Sequence, residues 1–240
     1  MQSHPWQTTQ TIAAFLQQSS LPESPGVYFF LNDEQEILYI GKATSLRDRV
    51  KSYFTKKIVV TRGPKIALLM QRATIIGYTV TDSVLEALLL EGELIRKYQP
   101  IHNTDAKDDK SYNRVVITKE TFPRVLLVRD REIAQGKFTL PVKKMYGPFP
   151  SSNDLKAALK IIRKLFPYRG TCIPFAESGN KKPCFSRQLG LCPGVCTGEV
   201  TAREYQQMVR RIELFFEGKK QMLVKRLEKE MGNLAKELRF

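Results

Sequence analysis

The sequence predicts an α+β chain: a small three-stranded antiparallel sheet flanked by helices, then a cysteine-rich metal-binding region, then C-terminal helices. Three observations lead there. Gly26–Leu31 (GVYFFL) and Ile37–Ile40 (ILYI) are β-branched and aromatic runs separated by an Asn32-Asp33 turn signal, which reads as a hairpin. All four cysteines fall between positions 172 and 196. Near the C-terminus Val224, Leu227, Met231, Leu234 and Leu238 step by three and four, the spacing of one helix face.

Residues 8–18 read as a short amphipathic helix with Ile12, Phe15 and Leu16 on one side, broken by Pro22 and Pro25. After the hairpin, Thr44 can cap a helix to about Phe54, in which Leu46, Val50 and Phe54 share the core face. Arg49 and Tyr53, also four apart, share the neighbouring face. A helix over 64–73 and a third strand over 74–81 (TIIGYTVT) follow. Asp82 or Ser83 can then cap a strongly apolar helix, 84–98, that stops before Pro100. Residues 105–113 (DAKDDKSYN) are polar and form a boundary loop. Val115–Thr118 and Val125–Val128 make a second strand pair, with a rigid turn at Tyr146–Pro150 and a helix from Ser151 or Ser152 to about Phe166. Residues 170–198 are rich in Gly and Pro and lack periodicity, so something other than an apolar core must organise them; a bound metal does that. Residues 201–240 read as helix, and the seam stops at Phe240 in mid-pattern, as expected of a piece of a longer protein.

The 240 residues are 42% hydrophobic, which excludes a largely disordered chain. No apolar run is long enough to span a bilayer, and residues 1–20 hold no Lys or Arg, as expected of a cytoplasmic protein without a leader. The net charge is +15, more than solubility requires, and it implies a polyanionic partner such as nucleic acid. The excess is concentrated. Residues 42–72 hold nine Lys or Arg against Asp48 alone, and residues 141–240 hold 20 basic against 9 acidic residues.

Cys172, Cys184, Cys192 and Cys196 form C-x11-C-x7-C-x3-C. Disulfides do not suit a cytosolic chain, so a four-thiolate metal site is favoured. Structural zinc sites use two tight cysteine pairs, whereas iron–sulfur clusters tolerate wider spacing, and spacing leaves the two even. Only His4 and His102 are histidines, and no nucleotide-binding glycine loop, nucleophile elbow or HExxH is present, which removes histidine triads and zincin chemistry. What remains is a set of Tyr, Lys, Arg and Glu. Tyr28 and Tyr39 stand one on each hairpin strand, Lys42 follows the second, and Arg49 and Tyr53 lie on the next helix. Glu86 begins the apolar helix beside Leu89 and Leu90, although Glu91 and Glu93 sit on the same helix and chemistry alone does not choose among them. Cleaving a phosphodiester needs a divalent ion, a base for water and cations for the developing charge. A carboxylate, a tyrosine, and Arg49 with Lys42 could supply ligand, base and cations.

Gly26-Val27-Tyr28 followed by Tyr39-Ile40-Gly41 resembles the two-part signature of the GIY-YIG nucleases, and Lys42, Arg49, Tyr53, Glu86 and Asn103 follow in that family's order. The segments PGVYFF, LYIGKATSLRDRVKSYF, LEALLLEGELIRKYQPIHN, DDKSY, YGPFPS and PCFSRQLGLCPGVCTGEVTAREY resemble the N-terminal half of the UvrC excision nuclease subunits. LEKEMGNLAKELRF is similar to the first helix of their UVR motif. The extent is that of the short Cho-like homologues. The resemblance implies a GIY-YIG nuclease domain over 1–104, a connector and cluster-binding region over 105–200, and a helical segment ending in a partial UVR motif over 201–240. It also implies an excision-repair endonuclease that cuts 3′ of a lesion in double-stranded DNA after recruitment by UvrB, with neither a membrane nor a small-molecule substrate. The alternative is a non-catalytic iron–sulfur fragment for DNA binding and recruitment. Carried over, Glu86 binds one Mg²⁺ or Mn²⁺, Tyr39 is general base or orients water, and Arg49 and Lys42 steady the phosphate. Tyr28 and Tyr53 hydrogen-bond water or phosphate, and Asn103 braces the site. The four cysteines hold a [4Fe-4S] cluster, with zinc as the alternative.

Overall fold

A computed structural model describes residues 4–18, 20–55, 64–103, 112–179 and 181–237. Lys56, Lys57 and Arg62 of the first basic run, most of the 105–113 loop, and Leu238 of the apolar seam lie outside the described residues. The chain divides into two compact units. One is Met1–Asn113 with Gly147–Ser152; the other is Arg114–Tyr146 with Asn153–Phe240.

The first unit is built on an antiparallel sheet of β1 (Thr8–Thr11), β2 (Gly26–Leu31), β3 (Ile37–Ala43) and β4 (Ile75–Val80), in the order β1-β4-β2-β3. The sheet has four strands, not three. Its extra member is the polar TTQT run, read from sequence as the start of the first helix. That run pairs Thr8 with Tyr78 and Thr11 with Ile75, and the helix α1 begins only at Ile12 (Ile12–Gln18). A strand at an edge needs backbone partners more than an apolar pattern, and β1 has them through β4.

β2 is central and wholly buried, so both of its faces must be covered. Its alternation sorts the core. Tyr28 and Phe30 point toward Phe15, Leu46, Val50, Tyr53 and Leu69. The last four of these lie on α2 (Leu46–Lys51), the 3-10 turn Ser52–Phe54 and α3 (Pro64–Arg72). Val27, Phe29 and Leu31 point the other way, toward Ala87, Leu94 and Ile95 of α4 (Val84–Tyr98). Ser45, not Thr44, caps α2, accepting from the Asp48 amide. Ser83 caps α4, accepting from the Glu86 amide at 3.1 Å. The hairpin turn is held by the Asn32 side chain, which accepts from the Glu36 amide and donates to the Glu36 carboxylate.

The second unit holds a sheet in the order β6-β5-β7, formed by β5 (Asn113–Thr118), β6 (Val125–Arg129) and β7 (Val142–Phe149), with α5 (Asp130–Ala134) between the last two. The expected rigid turn at Tyr146–Pro150 is mostly the end of β7. Pro148 signals a turn, but a proline is tolerated at the side of a sheet where no ladder donor is needed, and β7 is an edge strand. Helix α6 (Ser152–Leu165) buries Leu155, Ala158, Leu159 and Ile162. The cysteine segment contains only two helical turns, α7 (Phe175–Ser178) and α8 (Phe185–Gln188). The C-terminal helix is two helices, α9 (Ala202–Phe216) and α10 (Lys220–Glu237), parted at Gly218, whose φ of 66° ends α9. On α10, Val224 and Met231 of the expected seam are exposed.

Candidate functional site

The hairpin places Gly41 directly opposite Tyr28. A Cβ at Gly41 would lie 2.4 Å from the Tyr28 hydroxyl, so only glycine lets the Tyr28 ring lie across the strand. The Tyr28 and Tyr53 hydroxyls are 2.7 Å apart, and Arg49 Nε donates to the Tyr28 hydroxyl at 3.3 Å. The Arg49 guanidinium also stands 5.9 Å from the Tyr53 ring centroid. The Tyr39 ring completes the group, 6.1 Å from Tyr28 and 6.3 Å from Tyr53. Three tyrosines and one arginine from two strands, a helix and a 3-10 turn therefore converge.

Electrostatics follow from that packing. Burial raises the Tyr28 pKa well above the ordinary tyrosine value, and Tyr39 and Tyr53 add to the shift while Arg49 opposes it. Tyr39 is raised in the same way, by burial, then by Tyr53 and by the Glu91 carboxylate. Burial works against the charge of Arg49, but the tyrosines around it outweigh that and raise its pKa.

Glu86 and Glu91 part company here. The Glu86 carboxylate accepts from the Asp82 amide at 3.0 Å and its own amide donates to Ser83, so Glu86 closes a cap at the start of α4. The Glu86 carboxylate, expected from sequence among the tyrosines, is thereby engaged by the Asp82 amide at the head of α4. Five residues further on is about 140° around the helix, a different face. There Glu91 is only 5% exposed, and its Oε1 accepts from the Lys42 amide at 2.9 Å. Glu91 is the carboxylate that the structure brings to the end of β3 and into electrostatic contact with Tyr39. The signal was in the sequence. Ser83-x-x-Glu86 has the sequence pattern of a helix N-terminus, whereas Glu91 interrupts the apolar stripe of Ala87, Leu88, Leu94 and Ile95.

Asn103 is 6% exposed and grips β3. Its Oδ1 accepts from the Ile40 amide at 2.7 Å and its Nδ2 donates to the Ile40 carbonyl at 2.8 Å. It thereby fixes the strand segment between Tyr39 and Gly41. Lys42 contributes its amide to Glu91, with its side chain partly exposed at the strand end.

In the second unit the Sγ atoms of Cys172, Cys184 and Cys196 lie within 4.8 Å of one another, close enough for one metal ion bonded to each sulfur at about 2.3 Å. Cys192 is buried and electrostatically coupled to Cys172, but it is not within that group of three. Burial, then Cys192, Cys184 and Cys196, push the Cys172 thiol up to about 12. Burial would raise Cys184 too, but the Arg187 amide and the Cys196 and Cys172 sulfurs outweigh it and lower it. Crowded thiols of this kind are an unfavourable arrangement that a bound cation relieves, so the residues fit a metal. Arg163 of α6 holds the segment in shape. It donates to the carbonyls of Leu191 and Tyr168 and to the Ser186 hydroxyl, each at 3.1 Å. From α9, the Tyr205 hydroxyl accepts from the Arg169 amide and donates to the Pro123 carbonyl.

Comparison with known proteins finds matches for both parts of the chain. Residues 24–104 match the UvrC-like GIY-YIG domain and residues 112–215 match the UvrC/Cho excinuclease middle domain. The UvrABC system protein C of Caldanaerobacter subterraneus is 38% identical over 222 residues, covering 92% of this chain and 34% of that protein. The same protein of Synechocystis is 39% identical over 92% of this chain and 34% of its own length. That of Methanospirillum hungatei is 39% identical, over 90% and 39% respectively. The chain thus spans about a third of the length of the relatives it matches. Among solved structures, the magnesium-bound GIY-YIG N-terminal endonuclease domain of UvrC from Thermotoga maritima is similar at 33% identity over 38% of this chain and 97% of that one, with a TM-score of 0.34.

Proposed function

Because this chain belongs, through its GIY-YIG and middle domains, to the UvrC family, we propose that it is a metal-dependent DNA endonuclease of nucleotide excision repair, cutting 3′ of a lesion after recruitment by UvrB. The observation that carries this reading is the convergence of Tyr28, Tyr39, Tyr53 and Arg49 near the buried Glu91. An apolar core has no use for a carboxylate, an arginine and three hydroxyls together, whereas a phosphodiester does.

Glu91 holds one Mg²⁺ or Mn²⁺; the ion, when bound, polarises the scissile phosphate and stabilises the leaving oxygen. Arg49, kept charged by the tyrosines, and Lys42 at the strand end bind phosphate oxygens and the charge that develops on them. Tyr39, packed beside Tyr28 and Tyr53, would act as general base or orient the attacking water. Tyr28 and Tyr53 share one hydrogen bond and fix where Arg49 points. Asn103 keeps Tyr39 in place through Ile40.

The four cysteines would hold a [4Fe-4S] cluster, with zinc as the second candidate; the likeness to UvrC favours the cluster where the spacing C-x11-C-x7-C-x3-C leaves the two even. A visible absorbance band in protein purified without oxygen reads one, and a colourless zinc-bearing sample the other. The exposed Val224 and Met231 of α10 fit a seam that a UvrB helix covers. No described helix is long and apolar enough to cross a membrane. The test is nicking of a lesion-bearing duplex in the presence of UvrB and Mg²⁺. Glu91→Gln abolishes the nick with DNA binding retained; a variant that still cuts removes Glu91 from the reaction.

A further inference from the structure

Helix α6 carries Lys156, Lys160 and Lys164 at i, i+4 and i+8, so their side chains form one row with successive members roughly 6 Å apart along the axis. All three are exposed, and among the described residues none of them enters an ion pair. Like charges four residues apart on a helix repel, so the row costs stability and gains nothing within the chain. The helix does not need these lysines to dock, since Leu155, Ala158, Leu159 and Ile162 supply the buried face.

The row borders the cysteine segment. Arg163, one helical step from the row, reaches Ser186 of α8 and the Leu191 carbonyl. α8 in turn presents Phe185, which is 73% exposed. A large ring that open to water, on a segment that Arg163 ties to the lysine-bearing helix, suits a surface that meets a polyanion whose sugars offer apolar contact. From Ser152 to Gly198 the only acids are Asp154 and Glu177, against eight Lys or Arg.

We propose that the α6 lysine row, together with Phe185 of α8, is a contact for the backbone of duplex DNA, separate from the residues that cut. Duplex DNA carries one charge per about 1.7 Å of its axis, a density that a closely spaced row of lysines can neutralise without reading sequence. The inference takes DNA as partner from the reading above, but it concerns residues that the incision chemistry does not use.

The test is fluorescence anisotropy of a labelled, undamaged duplex with the full chain, without divalent ions, over a series of salt concentrations. Each phosphate contact contributes about 0.9 to the slope of log affinity against log salt. The variant Lys156→Gln/Lys160→Gln/Lys164→Gln is expected to lower the magnitude of that slope by about 2 to 3 while the cysteine site keeps its metal content. Phe185→Ser is expected to weaken binding with the slope unchanged, because an apolar contact releases no counterion. A triple variant whose slope moves by less than about 1 overturns the inference and leaves the nuclease reading standing. A wild-type chain that does not bind the duplex overturns the inference, while the nuclease reading, which brings the chain to DNA through UvrB, stands or falls on the incision assay. A triple variant that keeps its DNA slope and instead loses sedimentation with anionic vesicles makes the surface a membrane contact, and the inference falls.

Discussion

The tyrosine–arginine group near Glu91 and the cysteine segment are both clusters of ionisable side chains, yet they are built from different materials. The first stands on regular structure. Tyr28 and Tyr39 come from paired strands, Arg49 and Glu91 from helices, and the residues beneath them are fully buried aromatic and aliphatic side chains. The second has two four-residue helical turns in 29 residues, exposes Ile173, Phe185 and Leu189, and is tied down by Arg163, Tyr205 and its own thiols. A site resting on a packed core is preorganised whether or not its ligand is present. A site resting on thiols depends on what they bind.

That contrast is broken or sharpened first by removing metal. Chelation of the cysteine site is expected to release amide-exchange protection across 170–198, a large effect because a structural ion can contribute on the order of 10 kcal/mol to folding, while β2 and β3 keep theirs. Equal loss in both places would end the distinction. Next in size is Gly41→Ala, whose Cβ would meet the Tyr28 hydroxyl. It is expected to cost about 1–3 kcal/mol by overpacking, read by thermal unfolding, and to displace Tyr28 from Tyr53. Asn103→Ala strips two buried backbone groups of their partner and is expected to cost about 1–3 kcal/mol.

The two units also carry different groups whose ionisation is linked to folding. Tyr28 and Tyr39 have folded pKa values above their unfolded value of about 10. Their contribution is whole below pH about 10 and is lost as pH rises through the folded values. In the second unit Glu217 is lowered to about 2, first by its hydrogen bond from Lys144. Burial opposes ionisation of Glu213, but Lys143, Arg210 and Lys144 lower it as well. Their contribution is whole above pH about 4.5 and fades as pH falls toward 2. Hydrogen exchange by region across pH is therefore expected to show acid loosening in the second unit around Glu213 and Glu217, while alkali loosens both units, through Tyr28 and Tyr39 in the first and through the buried Tyr205, also raised by burial, in the second. The smallest effect is Ser83→Ala, about 1 kcal/mol from a lost helix cap, with incision unchanged.

The same contrast explains what could be read from the sequence. The hairpin was legible because GVYFFL and ILYI carry strand propensity around a turn, and α4 because its apolar stripe is long. β1 was not, since TTQT has no apolar alternation and is held by backbone pairing to β4 and by Trp6 lying over Gly77. β7 was hidden by Pro148. The tyrosines and Arg49 were found because their spacing follows regular elements. The residues alone left the choice among Glu86, Glu91 and Glu93 open, because tertiary packing decides which helix face reaches β3; it turns Glu91 there and keeps Glu86 at the cap. The cysteine segment offered only its ligand types and spacing. Its fold comes from long-range hydrogen bonds, such as those of Arg163, that leave no periodic trace.

The central claim is that the ion is held by the buried carboxylate beside the hairpin tyrosines, not by the one that caps the helix. Isothermal titration of Mg²⁺ or Mn²⁺ into the Glu91→Gln and Glu86→Gln proteins, with nicking of a lesion-bearing duplex measured in parallel, tests it. The account predicts that Glu91→Gln loses both ion binding and incision and that Glu86→Gln keeps both; the reverse result would contradict it.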